Sequence, residues 1–115
     1  MNTPPRQYVS QPARDDRVPG LLWMLSMEVV NDADRAEAVS FRVLSTTVEV
    51  TYHRRSRAVF SRQELRAWFD SPHHPLAAGE LVFVVDNDRR IALMLPGALS
   101  WPVAPVFLAL LRERL

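Results

Sequence analysis

The alternation of apolar and polar residues is clearest between positions 47 and 70, and the rest of the chain is organised around that stretch. Val48, Val50 and Tyr52 alternate with Thr47, Glu49, Thr51 and His53, the period-two pattern of a strand with one buried face. Arg54, Arg55 and Ser56 make a polar turn, after which Arg57-Ala58-Val59-Phe60 resumes a short extended pattern. The period then becomes helical. Ser61 and Glu64 have the spacing of a capping box, and Phe60 and Leu65 occupy the positions of a hydrophobic staple. Leu65, Trp68 and Phe69 form the i, i+3, i+4 stripe that would lie on a sheet. Asp70-Ser71-Pro72 ends the helix, because a residue preceding proline is pushed out of the helical region.

Upstream, residues 1–20 carry Pro4, Pro5, Pro12 and Pro19 among polar residues and read as a disordered leader, with Tyr8 and Val9 its only anchors for a docking contact. Leu21–Val30 is a continuous apolar strand, residues 31–38 a polar turn, and Val39, Phe41 and Val43 begin a second alternating strand. Leu44-Ser45-Thr46 interrupts that alternation and predicts a bulge or short loop.

Downstream, residues 71–79 read as a proline-bounded loop. Leu81–Val85 and Ile91–Leu95 flank Asp86-Asn87-Asp88-Arg89, a strong hairpin signal. Both runs are apolar at nearly every position, including Val82, Val84, Ala92 and Met94. This predicts cover on both faces, by a helix on one side and a second subunit on the other. Pro96-Gly97 should end the sheet. Val103, Val106, Phe107, Leu110 and Leu111 have helical spacing; Pro102 and Pro105 fit only a first turn, and Arg112 and Arg114 suit the negative end of the helix dipole. The order strands, helix, hairpin, helix predicts an α+β domain over residues 21–115, with a small antiparallel sheet and two packed helices.

Composition narrows the function classes. A chain of 115 residues makes one domain, and 48% hydrophobic with 23% charged residues suits an ordinary globule. The absence of cysteine removes disulfides, thiolate metal sites and thiol nucleophiles. No apolar run approaches the ~20 residues of a membrane helix. The first twenty residues lack the apolar core of a signal peptide, so the expected compartment is the cytoplasm. Every basic residue is arginine, and the formal net charge is +1. Locally the balance differs. Residues 42–66 hold six arginines (42, 54, 55, 57, 62, 66) against Glu49 and Glu64, a local +4, whereas Asp70, Glu80, Asp86 and Asp88 leave residues 70–88 at −4. Such a dipolar pattern can steer a partner or a second subunit, although clustered solvated faces are the simpler reading.

Candidate chemistry is sparse. His73 and His74 are adjacent and have only Asp70 near them in sequence, short of the three or four convergent ligands of a metal site. Ser61 is accounted for by capping rather than nucleophilic catalysis. Glycine at positions 20, 79 and 97 alone permits no nucleophile elbow, phosphate loop or dinucleotide turn. No catalytic, cofactor-binding or metal residue is assigned, and the reading is non-enzymatic. The one candidate contact surface is the basic turn: Tyr52, His53, Arg54, Arg55 and Arg57. Arginines on a hairpin beside an aromatic are what binders of single-stranded nucleic acid use; a solvated hairpin tip is the plainer alternative.

The residues 48–53 (VEVTYH), the block from Phe60-Ser61-Arg62-Gln63-Glu64-Leu65 to Pro75 and Gly79-Glu80-Leu81-Val82, and the closing amphipathic helix together resemble the SsgA-like proteins of actinobacteria. These are small regulators of sporulation-specific cell division. The resemblance spans residues 21–115; where the family carries Asp-Pro before its second strand, this chain has Ser45-Thr46-Thr47. It implies a whirly-like fold, homo-oligomerisation, no catalysis, protein partners in the division machinery and a location at the septum. Two function classes follow: a regulator of septation acting through protein–protein contacts, with Trp23, Trp68 and Trp101 in core or subunit contacts, or a small module binding single-stranded DNA or RNA.

Overall fold

The computed structural model describes residues 6–9, 17, 19–30, 36–52, 56–85, 90–95 and 99–115. Two antiparallel sheets and two helices follow one another along the chain. The first sheet contains β1 (Arg6–Val9), β2 (Leu21–Val30), β3 (Ala36–Leu44), β4 (Thr47–Tyr52) and β5 (Ser56–Ser61), paired in sequence order. Helix α1 (Arg62–Asp70) follows it. The second sheet contains β6 (Leu76–Ala78), β7 (Leu81–Val85), β8 (Ile91–Leu95) and β9 (Leu99–Pro102), again in sequence order, and α2 (Pro105–Arg114) closes the chain. The α+β class and the two helices agree with the sequence pattern. The antiparallel strands divide into two small sheets.

The corrections concern short strands. The stretch read as a disordered leader contains β1, which pairs Arg6 with Val30 and Val9 with Met27. The stretch read as a loop contains β6, and the sheet expected to end at Pro96-Gly97 continues into β9, which pairs Leu95 with Leu99 and Ala92 with Pro102. Strands of three or four residues carry too little alternation to register in a local pattern, and their partners are what make them strands. The polar turn read over 31–38 is also too long, since β3 begins at Ala36. The interruption before Thr47 is a short loop, Ser45 and Thr46 alone separating β3 from β4. The irregularity in the first sheet lies elsewhere, between Leu21 and Trp23. Position 79 shows why β6 and β7 can turn so tightly. Gly79 has φ +61, a left-handed conformation that glycine adopts without the usual side-chain penalty.

Alternation sets the faces of the first sheet. Leu25 and Met27, Val39, Phe41 and Val43, Val48, Val50 and Tyr52, Ala58 and Phe60 are all buried on one side. Ser26, Ser40, Arg42, Thr47, Glu49, Thr51 and Arg57 lie on the other, where the Ser26 and Ser40 hydroxyls meet at 3.3 Å. In the second sheet Leu81, Phe83 and Leu93 are buried inward. Phe83 is the hub of the core. Its ring lies 6.1 Å from Phe41 and 5.5 Å from Phe60 of the first sheet, and 5.6 and 6.3 Å from Trp68 and Phe69 of α1. Phe107 of α2 meets Phe41 edge-on at 4.9 Å. One aromatic cluster therefore joins both sheets and both helices, in the tilted and edge-to-face geometries that aromatic quadrupoles favour. On the other face of the second sheet Val82, Val84, Ala92 and Met94 are apolar as the sequence indicated; Ala92 is buried, Val82 and Val84 are half-buried and Met94 is exposed. No helix among the described residues is long and apolar enough to cross a membrane.

Candidate functional site

The β4–β5 hairpin carries the residues singled out as a contact surface. His53, Arg54 and Arg55 lie outside the described residues. The two that flank them are placed, and they point to opposite faces. Tyr52 is 92% buried, at the end of the inward row formed with Val48 and Val50. It is corrected from a contact residue to a core residue, because period-two alternation puts it on the buried face whatever turn follows. Arg57 is exposed on the outer face and forms an ion pair with Glu49, close to its cross-strand position. An aromatic and an arginine on opposite faces cannot stack one base and hold its phosphate together.

Helix α1 begins where the sequence placed it. Ser61 is the N-cap in extended conformation, and the Glu64 N–H donates to its Oγ at 3.4 Å. Phe60 and Leu65, the staple pair, are both buried in the core. Trp68 donates its indole N–H to the His74 carbonyl at 2.8 Å, which ties the segment after the helix back onto it. His73 is exposed and hydrogen-bonds Ser71 Oγ at 2.7 Å. Among the described residues no group of three or more histidine, aspartate or glutamate side chains could hold a metal ion.

A cleft lies at the start of this helix. It encloses about 480 Å³ and is lined by Ser45, Thr46, Ser61, Arg62, Gln63, Arg66 and Leu115. Arg62 organises it. Its backbone N–H donates to the Thr46 carbonyl at 3.0 Å. Its guanidinium reaches the carbonyls of Ser45 at 2.9 Å, Arg114 at 3.1 Å and Leu115 at 2.9 Å. One side chain thus fastens the β3–β4 turn and the last residues of α2 to the first turn of α1. Arg114 itself stacks over Trp23 of β2, 3.6 Å from the ring centroid. The local sequence did not reveal this latch, although it held a clue. A cation at the first position of a helix opposes the helix dipole, so it needs a partner from elsewhere in the fold. Here that partner is the carbonyl-bearing end of α2. Arg62 is therefore occupied in holding the fold, and Arg66 is the exposed cation of the cleft.

No protein-family profile, characterised protein or solved structure matches this chain.

Proposed function

We propose that this protein is a non-enzymatic regulator that works through protein–protein contacts, of the SsgA-like kind, in actinobacterial sporulation-specific septation. The observation that carries the reading is the order of elements: an antiparallel sheet followed by a helix, then a second sheet and a second helix. The blocks that resemble the family, β4 through the start of α1 and on to β7, fall on consecutive elements in that order. A whirly-like arrangement of the chain is compatible with it. Homo-oligomerisation belongs to the same proposal, and division-machinery proteins are its other partners. The uncharged outer row Val82, Val84 and Met94 gives a face for contact with another chain. A nucleic-acid role has weaker support, since Tyr52 is core and Arg57 is paired with Glu49.

A fluorescent fusion expressed in its own host during sporulation tests this reading. The expected result is banded fluorescence at nascent septa, and loss of the gene should leave hyphae undivided. Diffuse fluorescence together with normal septation would reject it.

A further inference from the structure

Each sheet has two edges, and three of the four are blunted. β1 has four residues, β6 has three and follows Pro75, and β9 has four and ends in Pro102. Short strands and prolines are the ordinary ways of keeping an edge from pairing with another chain. The fourth edge, β5, has none of these devices. It runs for six residues, carries no proline, and keeps unbroken register with β4 from Tyr52↔Ser56 to Thr47↔Ser61.

The hydrogen-bond phase of β5 follows from one bond. The Arg62 N–H donates to the Thr46 carbonyl, so 46 and 62 are a bonded pair. Antiparallel pairs alternate between bonded and non-bonded. Pairs 48/60, 50/58 and 52/56 are therefore bonded, and Arg57, Val59 and Ser61 direct their backbone N–H and C=O groups away from β4. Val59 is 49% exposed, on the outer face of the sheet beside these groups. The Arg57 side chain is 65% exposed.

We propose that β5 pairs with β5 of a second copy of this chain, antiparallel about a two-fold axis at Ala58, joining two five-stranded sheets into one. This names the surface for the homo-oligomer of the preceding section and rests on that reading. The choice of a second copy comes from self-complementarity. Ser61 is the N-cap of α1, and an N-cap carbonyl is taken by the first intrahelical bond, which leaves residues 56–60 as the pairing length. With the axis at Ala58, Arg57 of one copy lies opposite Val59 of the other. Both of their outward N–H and C=O pairs are then satisfied. Arg57 faces no arginine, and along the same row it points toward Glu49 of the other copy, next to that copy's Val59. Five paired residues make a contact at the small end of specific interfaces, so the dimer should be concentration-dependent.

Sedimentation over roughly 1 to 100 µM, with cross-linking, tests the proposal. Wild type should shift from monomer toward dimer. Val59→Lys puts a charge on the β5 edge, and Val59→Pro removes an N–H that has no partner among the described residues. Each should raise the dissociation constant at least about tenfold while leaving circular dichroism unchanged. Val59→Lys decides if the proline variant misfolds. The chain has no cysteine, so Arg57→Cys copies mixed with Val59→Cys copies can join only through an intermolecular disulfide. Bonded antiparallel pairs stand about 5.5 Å apart at Cα, within disulfide range. Both positions are exposed, so mild oxidation should give a covalent heterodimer from that mixture and none when Ala77→Cys replaces either variant. A strict monomer would overturn both this proposal and the homo-oligomer reading. An oligomer indifferent to Val59→Lys would overturn this proposal alone and leave self-association to another surface. A dimer in which Arg57→Cys and Val59→Cys copies do not cross-link would overturn the axis.

Discussion

At the scale of single residues, two side chains at the start of α1 do different structural work. Ser61 accepts one backbone N–H, and Glu64 does not return the bond, so half of the capping box is formed. Ser61→Ala should therefore cost about 0.5–1 kcal/mol, near the low end for a lost cap, measured as a shift in the urea midpoint, with partner binding unchanged. Arg62 matters more. Its guanidinium donates to three carbonyls from two other elements, and its removal leaves part-buried acceptors without donors. Arg62→Ala should lose about 1–3 kcal/mol. Arg66→Ala, on the same cleft but exposed, should stay within about 0.5 kcal/mol of wild type. Equal losses in the two variants would show that the latch is not what holds α2. The exposed pair between Arg112 and Asp70, at 2.6 Å, contributes little by comparison, because water screens both partners.

At the scale of elements, the second sheet depends on how tightly its first hairpin turns. Gly79 and Glu80 alone connect β6 to β7, with Ala78 paired to Leu81. A Cβ at position 79 would meet no atom within 4 Å, so steric clash plays no part in its selection. The constraint is φ +61. Gly79→Ala should cost about 1–2 kcal/mol from the left-handed conformation alone, and Gly79→Asn should recover part of that, since asparagine tolerates the region better. Thermal denaturation of the pair checks it; equal melting temperatures for wild type and Gly79→Ala would exclude a conformational role. Helix α2 shows the other way to start an element. Its N-cap is Ala104, without a side-chain cap, and Pro105 takes the first helical position, where no N–H is needed. Phe107 and Leu111 then hold it by burial.

At the scale of the whole molecule, charge separates the two function classes. A net +1 with an acidic 70–88 segment gives a weak long-range field. If the basic turn followed a phosphate backbone, each contact would add a salt slope of roughly −0.7 on single strands. Changing Arg54, Arg55 and Arg57 together to alanine should instead leave weak nucleic-acid binding weak and the fold intact, read by fluorescence anisotropy at several salt concentrations. Tight, salt-sensitive binding that this variant abolishes would install the nucleic-acid reading in place of the protein-contact one. The aromatic cluster around Phe83 explains why losing the Arg57 side chain should not unfold the protein: the core contacts lie on the opposite face of the first sheet from it.

What the chain determined by itself was every element whose own residues record a buried face. The alternation of Val48, Val50 and Tyr52, the cap and stripe of α1, the paired runs at 81–85 and 91–95, and the proline start of α2 all appear where the pattern put them, because periodicity and capping are local. The same alternation already placed Tyr52 inward; its position next to a basic turn drew the functional reading the other way. Tertiary structure decided the rest. Strands β1, β6 and β9 exist through pairing with neighbours, and a three- or four-residue segment cannot announce a partner distant in sequence. The division into two sheets, the meeting of Phe41, Phe60, Trp68 and Phe69 around Phe83, and the reach of Arg62 to the end of α2 are likewise long-range. A hydrophobic pattern records that a face needs cover; only the folded chain decides which residues cover it and which strand edge stays open.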